Sequence, residues 1–150
     1  MIKVVMVCLG NICRSPLAEG ILQLKVDSKK ISVDSAGTAN YHVGLHPDKR
    51  SIAVAKKHGI DLSHQKCRQF TKNDFKLFDY IYVMDKSNYE NIIKLTSSKK
   101  ETQKVKLILN ELPPYKDMEV PDPYYGGNEY FEVVYQMLDK ACNVIADKLK

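Results

Sequence analysis

Residues 8–14 read Cys-Leu-Gly-Asn-Ile-Cys-Arg, between an apolar run and a Ser-Pro pair. These types at this spacing suit nucleophilic attack on a bound anion. Gly10 and Asn11 can both adopt the left-handed conformations that curl a loop until its amides converge. A helix starting at Ser15 would aim its positive end at the same point, and the Arg14 guanidinium would add a fork of donors. Leu9, Gly10, Asn11, Ile12, Cys13, Arg14 and Ser15 would then cradle a tetrahedral oxyanion. A thiol in that field can fall from ~8.5 to about 3.5–7.5, which would make Cys8 a thiolate nucleophile at neutral pH. A nucleotide-binding Gly-Lys-Ser/Thr loop is absent, so nucleotide hydrolysis is not expected.

Expelling a poor leaving group from a bound oxyanion ester needs a proton donor. Asp122 is the candidate, held between Pro121 and Pro123, whose ring-locked backbones would stiffen the loop. Ser15 is read both as the cap of the helix and as a hydroxyl donor to the Cys8 sulfur. Tyr124 and Tyr125 follow the acid directly, and Tyr41 lies beyond the second predicted strand. All three could wall a slot for an aryl ring. Cys13 is read as a resolving thiol that captures a Cys8 sulfenic acid after attack by peroxide, the alternative being a small side chain packed under the loop.

These groups need elements to hold them. Ile2–Cys8, Ile31–Ser35, Tyr80–Met84 and Val105–Leu109 are β-branched or aromatic-rich and nearly continuous in apolar residues, as strands of a parallel sheet buried on both faces would be. Helix signals lie between them. Ser15-Pro16 opens one helix, a second runs over 48–58 and is closed by Gly59, Thr-Lys-Asn-Asp at 71–74 resembles a capping box, and 97–104 reads as a solvated polar connector. Phe131, Val134, Leu138, Ala141, Ile145 and Leu149 form one helical apolar stripe. The alternation predicts a single-domain, doubly wound α/β sheet over 1–150, with helices on both faces and its site beyond the strands' carboxyl ends, where the Cys8 loop lies.

The 150 residues are 44% hydrophobic and 27% charged, as an ordinary globular domain is. No apolar run is long enough for a membrane span, and a cytoplasmic chain whose four cysteines stay reduced is expected. The net charge of +5 comes from lysines without interleaved aromatic residues, so nucleic acid is not an expected partner. His42, His46 and His58 show no paired ligand spacing, and no metal is expected.

The segment Val-Cys-Leu-Gly-Asn-Ile-Cys-Arg-Ser-Pro resembles the signature loop of the low-molecular-weight protein tyrosine phosphatases. Asp-Ser-Ala-Gly-Thr at 34–38, 68–75, 78–88 and Asp-Pro-Tyr-Tyr-Gly at 122–126 agree, in order, over nearly the whole chain. The resemblance implies four parallel strands in the order 2-1-3-4 and no cofactor. It also implies Cys8 as nucleophile, Arg14 as phosphate clamp, Asp122 as general acid and base, and Asn11 bonded within the loop with help from His64. The implied partners are phosphotyrosine proteins or small aryl phosphates, with inorganic phosphate or sulfate able to fill the loop. Two rivals share the features. An arsenate reductase would relay electrons through further cysteines, of which Cys67 and Cys142 are the spare ones, and a phosphopeptide-binding module would usually lack Cys8, Arg14 or Asp122.

Overall fold

The computed structural model describes residues 1–113 and 116–150. Strand β1 (Ile2–Cys8) is the spine of a four-stranded, wholly parallel sheet, paired on one side with β2 (Ile31–Gly37) and on the other with β3 (Tyr80–Val83), which in turn pairs with β4 (Val105–Leu107). The order is β2-β1-β3-β4, as expected. Alternation along β1 sorts the core in two. Val4, Met6 and Cys8 face a cluster with Leu17, Ile21 and Leu22 of α1 (Arg14–Lys25), Val54 and Ala55 of α2 (Lys49–Lys57), and the stripe of α6 (Asn128–Lys148). Val5 and Val7 face the opposite cluster, with Phe75 of α3 (Asp74–Leu77) and Ile92 of α4 (Lys86–Ile93).

Several boundaries differ from the sequence reading, each for a local reason. Helix α1 begins at Arg14 with Cys13 as its cap residue, so Ser15 lies inside the first turn and does not cap the helix. Its hydroxyl is spent elsewhere. β2 runs two residues past Ser35, because Ala36 and Gly37 pair with Val7 and Cys8. The apolar run after Val105 leaves the sheet at Ile108 and tightens into a 3-10 turn through Glu111, Leu107 having met Val83, the last residue of β3. Residues 97–104 are solvated but not irregular: Ser98 caps α5 (Lys99–Gln103) by accepting from the Glu101 amide at 3.2 Å. At 71–74 only half of the capping box forms, with the Asp74 carboxylate accepting the Thr71 N–H at 2.8 Å.

No helix among the described residues is long and apolar enough to cross a membrane.

Candidate active site

The loop leaving β1 is held by backbone bonds that bypass its side chains. Thr38 N–H donates to the Cys8 carbonyl and Ala39 N–H to that of Leu9, both at 2.9 Å, while Asp48 N–H donates to the Ile12 carbonyl at 2.8 Å. The left-handed turn falls at Asn11 (φ 59°), whereas Gly10 is not left-handed. Gly37 is needed for a different reason. A Cβ there would stand 2.8 Å from the Leu9 carbonyl oxygen and 3.1 Å from the Asn11 nitrogen, closer than a side chain can approach backbone. In the loop so wound, none of the N–H groups of residues 9–13 donates to another described residue.

Beneath the loop, a chain of side-chain hydrogen bonds fixes the thiol. Cys8 Sγ lies 3.0 Å from Ser15 Oγ, and the Asn11 amide donates to Ser15 Oγ at 2.8 Å and to Ser35 Oγ at 3.0 Å. Ser35 donates to Glu19 Oε1 at 2.7 Å, and burial, outweighing that bond, pushes the Glu19 carboxyl up to about 7. The Asn11 carbonyl side accepts the Arg68 backbone N–H at 2.9 Å, while Arg68 itself pairs with Asp34 and Asp74.

Arg14, with only 3% of its side chain exposed, enters from the other side. Its Nη1 donates to Asp85 Oδ2 at 2.7 Å and to the Val120 carbonyl at 2.9 Å. Burial works against the guanidinium's charge, but Cys8, Asp85 and Asp122 together hold its pKa above the ordinary value. Asp85 is itself placed by chain geometry. It caps α4 through the Asn88 N–H, leaving its second oxygen for Arg14. Asp122 Oδ2 is 3.9 Å from Arg14 Nη2, and its Oδ1 accepts the Tyr124 N–H at 3.0 Å, which points the carboxyl over the loop.

A cavity of about 280 Å³ opens above these groups. Cys8, Leu9, Gly10, Ile12, Cys13, Arg14 and Asp122 line it, and Tyr41, Tyr124 and Tyr125 stand at its walls. Asn11 and Ser15 lie beneath, buried.

A family model described as low molecular weight phosphotyrosine protein phosphatase matches residues 3–150. The chain belongs to that family. The human low molecular weight phosphotyrosine protein phosphatase is 43% identical to it over 97% of this chain and 94% of its own length. A protein tyrosine phosphatase of Entamoeba histolytica, solved with Hepes in its active site, superposes with a TM-score of 0.93 at 38% identity, covering 99% of this chain and 97% of that one. Vibrio vulnificus Wzb, solved with benzylphosphonate, superposes at 0.86 with 31% identity over 98% of each chain.

One residue expected from the phosphatase resemblance falls elsewhere. His64 is exposed and does not hold Asn11, whose two amide protons already go to Ser15 and Ser35. Its neighbour Gln65 takes the inward position, donating to the Pro16 carbonyl at 3.2 Å. Of the spare cysteines, Cys142 is fully buried under α1, and Cys67 donates to the Asn11 carbonyl at 2.8 Å, its thiol pushed up to about 11 by burial and by Cys8. Cys13 is also buried, and burial, then Asp48, Cys8 and Asp122, raise its thiol pKa well above the ordinary value.

The sequence reading gave no site role to Asp85, Ser35, Glu19 or Arg68, and it weighed His42, which lines the cavity beside Gly10, only as a metal ligand. Only Asp85 had a local signal: an Asp at the end of a strand, three residues before Asn88, as in an N-cap.

Proposed function

We propose that the protein hydrolyses phosphotyrosine, in proteins or as small aryl phosphates, through a phosphocysteine. The observation that carries this reading is the ring of undonated amides at 9–13 and the Arg14 fork set around Cys8 Sγ, with a carboxyl at the cavity mouth. The cradle holds the three equatorial oxygens of the phosphoryl group, and Arg14 balances the charge that spreads over them as the bonds to phosphorus loosen. Cys8 attacks as thiolate: the S–P bond forms, the P–O bond to the phenol breaks, and the Asp122 carboxyl passes its proton to the departing oxygen. Asp122, now a carboxylate, takes a proton from water as that water attacks phosphorus. The S–P bond breaks, and phosphate and the Cys8 thiolate are released. Ser15, freed from capping duty, donates to the sulfur whenever it carries negative charge.

Asp122→Ala tests this sequence of steps. The variant is expected to lose about 10²- to 10³-fold in kcat/KM on tyrosine phosphate, and progressively less on esters of more acidic phenols. Serine phosphate should be a poor substrate of the parent, and arsenate should not be reduced. Equal slowing across the ester series would remove Asp122 from the acid role.

Peroxide sensitivity belongs to the same proposal. Peroxide converts the Cys8 thiolate to sulfenic acid, and the Cys13 thiol displaces water from it to form a disulfide that thiol reductant reopens. Cys13→Ser is expected to keep most turnover but to lose recovery by reductant after peroxide. Full recovery would leave Cys13 as packing.

A further inference from the structure

Arg50 touches neither Cys8 nor the anion cradle, yet it connects the two loops that any reaction here must bring together. Residue Asp48, the cap of α2, donates its backbone N–H to the Ile12 carbonyl at 2.8 Å, and Ser51 Oγ donates to the Cys13 carbonyl at 3.3 Å, so the first turn of α2 is fastened to the Cys8 loop. From that turn the Arg50 guanidinium reaches across to the other loop. Its Nη2 donates to the Tyr124 carbonyl at 2.8 Å and its Nη1 to the Gly126 carbonyl at 3.0 Å. The fork cannot swing freely, because Nε and Nη2 also donate to Asp48 Oδ1 and Oδ2, each at 3.1 Å, and its Cζ lies over the Phe131 ring, 4.6 Å from the centre. Although burial opposes the Asp48 charge, these Arg50 contacts hold its carboxyl below the ordinary range.

The geometry points to Arg50 as a positioning residue for the general acid: a strut that sets the height of the Asp122 loop above the Cys8 cradle. The inference rests on the reading of Asp122 given above. Tyr124 is the pivot of the argument. Its N–H is the donor that orients Asp122 Oδ1, and its carbonyl, one Cα further along the backbone, is what Arg50 grips, so displacing Tyr124 displaces the carboxyl. Loss of the strut should therefore affect protonation of the leaving group and leave phosphate binding alone, since the cradle's own hydrogen bonds do not involve the guanidinium. A lysine cannot replace it, because one ammonium cannot span the Asp48 carboxylate and two carbonyls at once.

The test compares the parent, Arg50→Ala, Arg50→Lys, Asp122→Ala and the Arg50→Ala/Asp122→Ala double variant on tyrosine phosphate and on an ester of a much more acidic phenol. Arg50→Ala is expected to lower kcat/KM on tyrosine phosphate roughly 10- to 100-fold, the scale of an ångström's misplacement of a catalytic group, with a far smaller loss on the activated ester. Inhibition by inorganic phosphate should stay near the parental value, and in the Asp122→Ala background the Arg50 change should add almost nothing. Arg50→Lys should behave as Arg50→Ala does, and it carries the test if the alanine variant fails to fold. Uniform slowing on both esters, weakened phosphate inhibition, or losses that multiply in the double variant would overturn the strut while leaving Asp122 as the acid. An ester-independent loss in Asp122→Ala would overturn the acid and the strut with it.

Discussion

Cys8→Ser is expected to lower turnover of tyrosine phosphate by at least ~10⁴-fold, the scale seen when an enzymatic nucleophile is removed, while inorganic phosphate still binds. The two halves of that result come from different parts of the loop. Nucleophilicity resides in the sulfur, which a hydroxyl of far higher pKa cannot replace. On the proposed reading anion binding resides in backbone amides and in Arg14, which Asp85 and the Val120 carbonyl hold through bonds that do not pass through Sγ. Ser15 Oγ, 3.0 Å from Sγ, can accommodate the new hydroxyl without rearrangement. Turnover assays with calorimetric titration of phosphate check both halves. A variant that keeps turnover within about tenfold of the parent would rule out a covalent phosphocysteine.

Arg14→Lys is the second large effect, with kcat/KM expected to fall about 10³- to 10⁵-fold, the range associated with arginines that neutralise a transferring phosphoryl group. The substitution keeps the charge and removes the fork. Lysine cannot satisfy the Asp85 carboxylate and the Val120 carbonyl while also facing two phosphoryl oxygens, and at a site this buried the unmet acceptor is costly. Asp85→Asn separates positioning from charge. It keeps the oxygen that caps α4 through the Asn88 amide but weakens the hold on Arg14, so a milder loss in a folded protein is expected. Comparable kcat/KM for Arg14→Lys and the parent would show that a point charge suffices.

Residues whose meeting at the cavity is set by local chain geometry were legible in the sequence. Cys8 and Arg14 share one turn, and the prolines around Asp122 announce a stiff loop with a carboxyl at its centre. The strand order rested on resemblance, and the two spliced-out ends of the pattern, at Gly37 and Ile108, failed because strand length depends on what the neighbouring strand offers. The partners of Arg14 were not legible. Asp85 meets it only because β3 lies beside β1, and Arg50 meets the acid loop only because α2 and α6 pack together. His64 misled for a related reason: on an irregular loop adjacent residues face opposite ways, and the inward one is Gln65. At 98–101, the Ser-Lys-Lys-Glu capping pattern was there to be read and was masked by its charge.

The hydrogen bonds that assemble the site span most of the chain: 57 residues from Asn11 to Arg68, 71 from Arg14 to Asp85, 76 from Arg50 to Gly126 and 106 from Arg14 to Val120. The activity is therefore indivisible. A polypeptide stopped before Val120 would retain Cys8, its whole loop and all four strands, yet would lack the proposed proton donor Asp122 and the Val120 carbonyl that accepts from Arg14. A polypeptide begun after Arg14 would carry the acid with nothing to protonate. Such a centre cannot be inherited as a portable cassette or grafted as a short motif, and any recombination that exchanges one end of the gene must bring a compatible other end with it.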